Sequence, residues 1–175
     1  FNQELRIKLN TVFKVYGQII GVHALKKVNL NLTVLPTRLA YEAAIKQRGG
    51  DPTNTAGMYF HASNSAFIHY DNAPSAMRTA VHEAVHAINK AVLGYTSRWF
   101  NEGFAEYFEL TKNNMQTAIV EPNSSWTKNN NITKSVFSID SLVGLDDSWK
   151  KGDTSKLYAS SWAAIYFLMD TRAGQ

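Results

Sequence analysis

"TAVHEAVHAINKAVLGYTSRWFNEGFAEYFE", residues Thr79 to Glu109, holds two histidines four apart, a glutamate beside the first, and three further glutamates. At about 100° per residue, His86 lies about 40° round from His82 and one turn along, so both imidazoles reach one point while Glu83 stands off that axis. Metal-assisted hydrolysis needs this placement: two neutral ligands fix an ion, and a nearby carboxylate deprotonates water without occupying a coordination position. The bland alternative is a polar face on an amphipathic helix. Shuffling a composition with 5 histidines and 7 glutamates yields H-E-x-x-H in roughly half a percent of chains, which favours the chemical reading.

A third protein ligand must come from elsewhere. Glu102 and Glu106 are four apart on the next expected helix, share a face, and either one could serve. Their surroundings, Trp99, Phe100, Phe104, Tyr107 and Phe108, leave little room for a solvated acidic surface.

"HEAVH" followed by "WFNEGFAEYF" resembles the gluzincins, the zinc metallopeptidases that include thermolysin and the zinc aminopeptidases. The resemblance is closer still to the short bacterial peptidase-MA-like domains, many of them of unknown function. It implies a compact α+β fold with a small mixed sheet, an active-site helix and further helices. It also implies one zinc ion per chain on His82, His86 and Glu102, Glu83 as general base, and Glu106 behind the ligands, orienting an imidazole. The fifteen residues between His86 and Glu102 fall short of the spacing usual in the larger gluzincins, and a count alone favours Glu106 as ligand. The N-E-G-F-A context favours Glu102.

By position Tyr158, in "KLYASSWAAIYFL", resembles the tyrosine that steadies the oxyanion in zinc aminopeptidases; His61 and His69 are the alternatives. Those aminopeptidases also carry a G-x-M-E-N stretch whose glutamate binds the substrate amine. "GMYFHASNSAFIHY", residues 57 to 70, has no acidic residue, so cleavage of internal bonds is expected, with an edge strand able to take an extended peptide. The expected function is zinc-dependent peptide-bond hydrolysis. The alternatives are a catalytically inactive domain that binds a protein or peptide partner, a metal-free interaction module, and a hydrolase of non-peptide amides.

Composition sets the outer bounds. At 175 residues and 45% hydrophobic, the chain suits one domain spanning 1–175. With no cysteine, zinc must be held by nitrogen and oxygen. The net charge of +4 is scattered, with Lys pairs at 26–27 and 150–151 but no basic run, so no nucleic-acid partner is expected. No apolar run approaches the roughly 18 residues of a membrane span, and a monomer with a peptide or protein substrate is expected. "FNQELRIKLN" lacks signal-peptide regions, and a thiol-free chain suits a secreted, periplasmic or cell-envelope protein whose signal has been removed. The ending "TRAGQ", just after an apolar stretch, leads us to expect further residues that complete the cleft.

Leu5, Leu9, Val12, Tyr16 and Ile19 recur at helical spacing, predicting an amphipathic helix over 2–20 closed near Gly21. Alternation in "VNLNLTVL" predicts a half-buried strand ended by Pro36, and Thr37 to Gln47 a short helix. Met58 to His61 and Ala66 to Tyr70 read as antiparallel strands. Pro74 and Ser75 open the long helix that carries the histidines to Gly94. Strands thus gather ahead of the helix-rich second half. Residues 112 to 135 read as irregular surface, Asp140 or Ser141 as the cap of a short helix, and "SKLYASSWAAIYFLMD" as an apolar closing helix.

Overall fold

Leu5, Val12 and Tyr16 turn one buried face of α1 (Asn2–Ile20) inward, and Gly21 closes the helix with a φ of 86° that glycine adopts without strain. The computed structural model describes residues 1–114, 117–128, 136–144, 149 and 154–170, except the side chains of 20, 22, 24, 113, 114, 117 and 118. Ile19, expected on the inner face, is instead 44% exposed. A single turn, α2 (Val22–Leu25), follows.

The half-buried strand is β1 (Asn31–Leu35), shorter at its start than the alternation predicts. After α3 (Arg38–Lys46), whose cap Thr37 accepts the Ala40 N–H, come β2 (Gly57–Phe60) and β3 (Ser65–His69). The sheet order is β1-β3-β2, with β1 parallel to β3 and β2 antiparallel to it, Gly57 opposite Ile68 and Phe60 opposite Ser65. This is the mixed sheet of an α+β fold, and β2 forms one of its edges. The Arg38 guanidinium donates to the Pro52 and Thr55 carbonyls and so ties down the turn-rich segment that leads into β2.

Two helices dominate the second half. In α4 (Ala73–Leu93) the Asn72 side chain accepts the Ser75 N–H, Pro74 sits in the first turn where its missing N–H is harmless, and Gly94 closes the end. Next, α5 (Arg98–Glu109) packs along α4, and the closing helix of the chain, over Thr154–Asp170, covers its other side. The largest core cluster joins these helices to α1 through Tyr16, Val85, Ile88, Phe104, Phe108 and Trp162, several of them fully buried. Each such side chain contributes about 1.5 to 3 kcal/mol.

Residues 112 to 135 depart from the irregular reading. They hold most of a hairpin, β4 (Thr111–Asn114) and β5 (Thr117–Val120), and a helical turn, α6 (Ser124–Thr127), capped by Asn123; residues 115–116 and 129–135 lie outside the described residues. The strands show no apolar alternation because backbone pairing and support from α1 define them. Strands therefore occur on both sides of the two long helices. The cap of α7 (Ile139–Val143) is Ser138, whose hydroxyl accepts the Ser141 N–H, so Asp140 and Ser141 sit inside the helix they were expected to open. Helix α8 (Thr154–Asp170) is the expected apolar closing helix. The lysine pair at 150–151 and the terminal "TRAGQ" lie outside the described residues. No helix among the described residues is long and apolar enough to cross a membrane.

Helix α5 meets α8 most closely at Gly103, where an added Cβ would come 2.5 Å from the Ser161 carbonyl oxygen and 2.7 Å from Ile165 Cγ1. Backbone cannot move aside as a flexible side chain can. Gly103→Ala is expected to destabilise the fold by about 1 to 3 kcal/mol, read as a lower urea midpoint with an unchanged m-value.

Candidate metal centre

Helical geometry on α4 does what the spacing suggests. The imidazoles of His82 and His86 stand edge to face with centroids 4.8 Å apart, and α5 brings the Glu102 carboxylate against both. Glu102 Oε2 lies 3.2 Å from His82 Nε2 and 3.6 Å from His86 Nε2. A tetrahedral ion with bonds near 2.1 Å spaces its ligand atoms about 3.4 Å apart, so these separations fit a zinc-sized cation. The donors are nitrogen and oxygen, as a chain without cysteine requires.

The electrostatics follow from crowding charge into a buried place. Burial alone would lower the His82 imidazole pKa, yet the Glu102 and Glu109 carboxylates and the Glu83 charge hold it well above its ordinary value. Burial would likewise raise Glu102, but the two imidazoles and Arg98 hold it down at about 2. Glu102 is therefore a carboxylate at any working pH, which suits a ligand for a cation.

The Glu83 carboxyl lies against β2, near the imidazoles. It is 7% exposed, accepts a hydrogen bond from the Tyr59 backbone, and is raised by burial against the opposing pull of His86 and His82. At Gly57 a Cβ would come 2.4 Å from Thr79 Cγ2 and 2.8 Å from Glu83 Oε1, so the glycine lets this strand lie close on α4 and the carboxylate.

Glu106 does not join the two histidines. It groups with His82 and Glu109 instead, and its Oε2 accepts from Trp126 Nε1 at 3.0 Å and Asn123 Nδ2 at 3.4 Å. Burial, then the Glu109 charge, pushes its carboxyl up to about 7. Glu109 Oε2 lies 3.6 Å from His82 Nδ1, so Glu109 stands beside Glu106 behind the His82 ring. Sequence reasoning passed over Glu109, although seven residues from Glu102 is two turns, about 20° from the same line. Trp126 and Asn123 carried no signal, since they follow a hairpin that was itself missed.

Tyr158 of α8 faces the same cleft, its ring 6.5 Å from the His82 ring and edge-on to Trp149 at 5.1 Å. Burial and then the Glu102 charge push its hydroxyl pKa upward, keeping it a proton donor. His61, just beyond β2, also lines the cleft, which measures about 270 Å³, whereas His69 packs against Tyr41 elsewhere.

Residues 76–175 match the family described as "Protein of unknown function (DUF1570)". The chain belongs to that family. No curated protein and no solved structure matches it. The DUF1570 span contains His82, Glu83, His86, Glu102, Glu106, Glu109 and Tyr158, while β2 and His61 lie before it.

Elemental analysis after dialysis against zinc separates the glutamates. Glu102→Ala is expected to lose the ion and Glu106→Gln to retain it, with Glu109→Gln binding it about 10 to 100 times more weakly. Zinc lost only from Glu106→Gln would reverse the assignment. Zinc at about 100 times its dissociation constant should stabilise the unaltered chain by about 2.7 kcal/mol against thermal unfolding.

Proposed function

We propose that this domain is a gluzincin-type zinc peptidase that hydrolyses internal peptide bonds. The observation that carries the reading is the convergence of His82 Nε2 and His86 Nε2 on Glu102 Oε2, with the buried Glu83 carboxyl beside them in one cleft. His82, His86 and Glu102 would hold the ion. When bound, zinc supplies Lewis-acid charge stabilisation and makes a water acidic enough to be deprotonated near neutral pH.

The remaining work belongs to the chain's own residues. Glu83 takes the proton of the attacking water and passes it to the leaving amine, and a carboxyl raised by burial is better matched to both transfers than an ordinary glutamate. The Tyr158 hydroxyl donates to the oxygen that gains charge as the carbonyl is attacked. Glu109 keeps the His82 ring turned so that Nε2 faces the cleft.

The sheet supplies a place for substrate. Among the described residues β2 pairs only with β3, and Gly57, Met58 and Tyr59 form a wall of the cleft, so an extended peptide can add to this edge by backbone hydrogen bonds. Neither β2 nor β3 carries an acidic side chain to hold a free amino terminus, which favours internal bonds.

Glu83→Gln should keep about one zinc per chain and lower cleavage of a mixed peptide library about 10²- to 10⁴-fold, with cut sites read by mass spectrometry. Undiminished turnover in this variant would sink the assignment. Zinc binding with no cleavage by the unaltered chain would leave a peptide-binding domain. Tyr158→Phe is expected to lower kcat about 10²-fold with little change in KM; equal losses through KM alone would remove the tyrosine from the chemistry.

A further inference from the structure

Side chains from three helices form a directed hydrogen-bond relay that ends at the cleft. Tyr16 of α1 donates its hydroxyl proton to Asn89 Oδ1 of α4 at 2.9 Å, and Asn89 Nδ2 donates to Asn101 Oδ1 of α5 at 2.9 Å. The phenol sets the direction. Burial pushes the Tyr16 hydroxyl pKa well upward, so its proton stays in place, and among the described residues Asn89 is its one acceptor. A reversed Asn89 amide would strand that buried proton, which is costly. With Oδ1 of Asn89 taken by Tyr16, its Nδ2 must donate, and Asn101 must accept through Oδ1.

The relay therefore leaves Asn101 with its Nδ2 to offer, and among the described residues that nitrogen has no acceptor. Asn101 lines the cleft of the metal centre and also a second cavity, of about 400 Å³, that opens beyond His86. The same cleft is walled by β2 through Gly57, Met58 and Tyr59. An extended peptide added to the β2 edge pairs with it along one side only. Its remaining backbone groups turn away from the sheet, and a carbonyl enclosed there needs a donor from another wall.

We propose that Asn101 is a substrate-binding residue whose Nδ2 donates to a backbone carbonyl of the bound peptide beside the bond to be cut. Tyr16 and Asn89 are positioning residues that hold the donor in that orientation. The proposal rests on the peptidase reading. A donor aimed at a main-chain carbonyl places the peptide whatever its side chains, so this contact sets register and carries no sequence preference. Because the amide is already oriented by buried partners, little ordering remains to be done when the peptide arrives.

The test uses the zinc-loaded 175-residue chain and an internally quenched peptide that it cuts. Matched peptides replace one backbone carbonyl at a time, on each side of the cut bond, by a thiocarbonyl, a weaker acceptor. At one position the replacement is expected to raise KM about two- to tenfold with little change in kcat, as the loss of one hydrogen bond would. Asn101→Ala should show that rise with the parent peptide, and the thiocarbonyl at that position should then add less than about twofold. Asn101→Asp keeps an acceptor for Asn89 and loses the donor, so it should hold zinc and be equally insensitive to the thiocarbonyl. Tyr16→Phe, assayed well below its unfolding midpoint, should raise KM about twofold and shrink the thiocarbonyl effect. Equal thiocarbonyl effects in the unaltered chain and Asn101→Ala at every position overturn the proposal, as does a loss confined to kcat. Loss of zinc from Asn101→Asp would reduce the relay to helix register and overturn it too. If zinc binds and no peptide is cut, the peptidase reading fails separately. The same peptides titrated onto zinc-loaded Glu83→Gln protein, with and without Asn101→Ala, then decide: a thiocarbonyl penalty that vanishes with Asn101 supports the contact, and one that persists refutes it.

Discussion

The Glu102 carboxylate sits on α5 and the two imidazoles it faces sit on α4, so the site exists only while those helices hold their register. Several contacts converge on that register. Gly103, next in sequence, lets α8 press α5 onto α4, since any side chain there would strike the Ser161 backbone. Asn101, on the other flank, accepts from Asn89 of α4 at 2.9 Å, and Asn89 in turn accepts from the buried Tyr16 hydroxyl of α1 at 2.9 Å. The residues on both sides of Glu102 are thus tied to neighbouring helices. A chain of satisfied buried polar groups gives one alignment, where apolar packing alone tolerates several.

The same packing makes the site electrostatically demanding. Glu83, Glu102 and Glu106 are each less than a tenth exposed, within one small region, and burial of ionised groups costs several kcal/mol apiece unless partners offset it. The offsets differ for each. Glu102 has two imidazoles and Arg98, Glu106 has the Trp126 and Asn123 donors, and Glu83 has a backbone N–H and the nearby histidines. These differences separate the three carboxyls in pKa, and so in the roles open to them: Glu102 lies low, suited to holding a cation, while burial lifts Glu83 toward a value suited to moving a proton.

Much of this arrangement is legible from local pattern. His82 and His86 on one face, the glycine at 94 and the cap at 72 follow from helix geometry and backbone preferences, which depend on a few neighbouring residues. The aromatic stretch around Glu102 likewise announces a buried helix. What local pattern misses depends on distant partners. The β4–β5 hairpin lacks alternation because α1 supports it, and the parallel pairing of β1 with β3 joins strands separated by α3 and β2.

Glu106 and Glu109 show how the missed hairpin matters to the chemistry. On the helix wheel Glu106 is 40° to one side of Glu102 and Glu109 about 20° to the other, so both can approach the His82 ring from behind. Chain position alone favours the nearer residue. Trp126 and Asn123, delivered by the segment after β5, bind the Glu106 carboxyl and turn its oxygen toward themselves. That leaves His82 Nδ1 to Glu109, whose own backbone carbonyl accepts the Lys8 ammonium of α1 at 2.8 Å. The ring that faces Glu102 through Nε2 thus has behind it a residue at the very end of α5, whose backbone is held by the first helix of the chain. The surroundings of His82 thus include contacts made far from the H-E-x-x-H motif, from the first helix and from the segment after the hairpin.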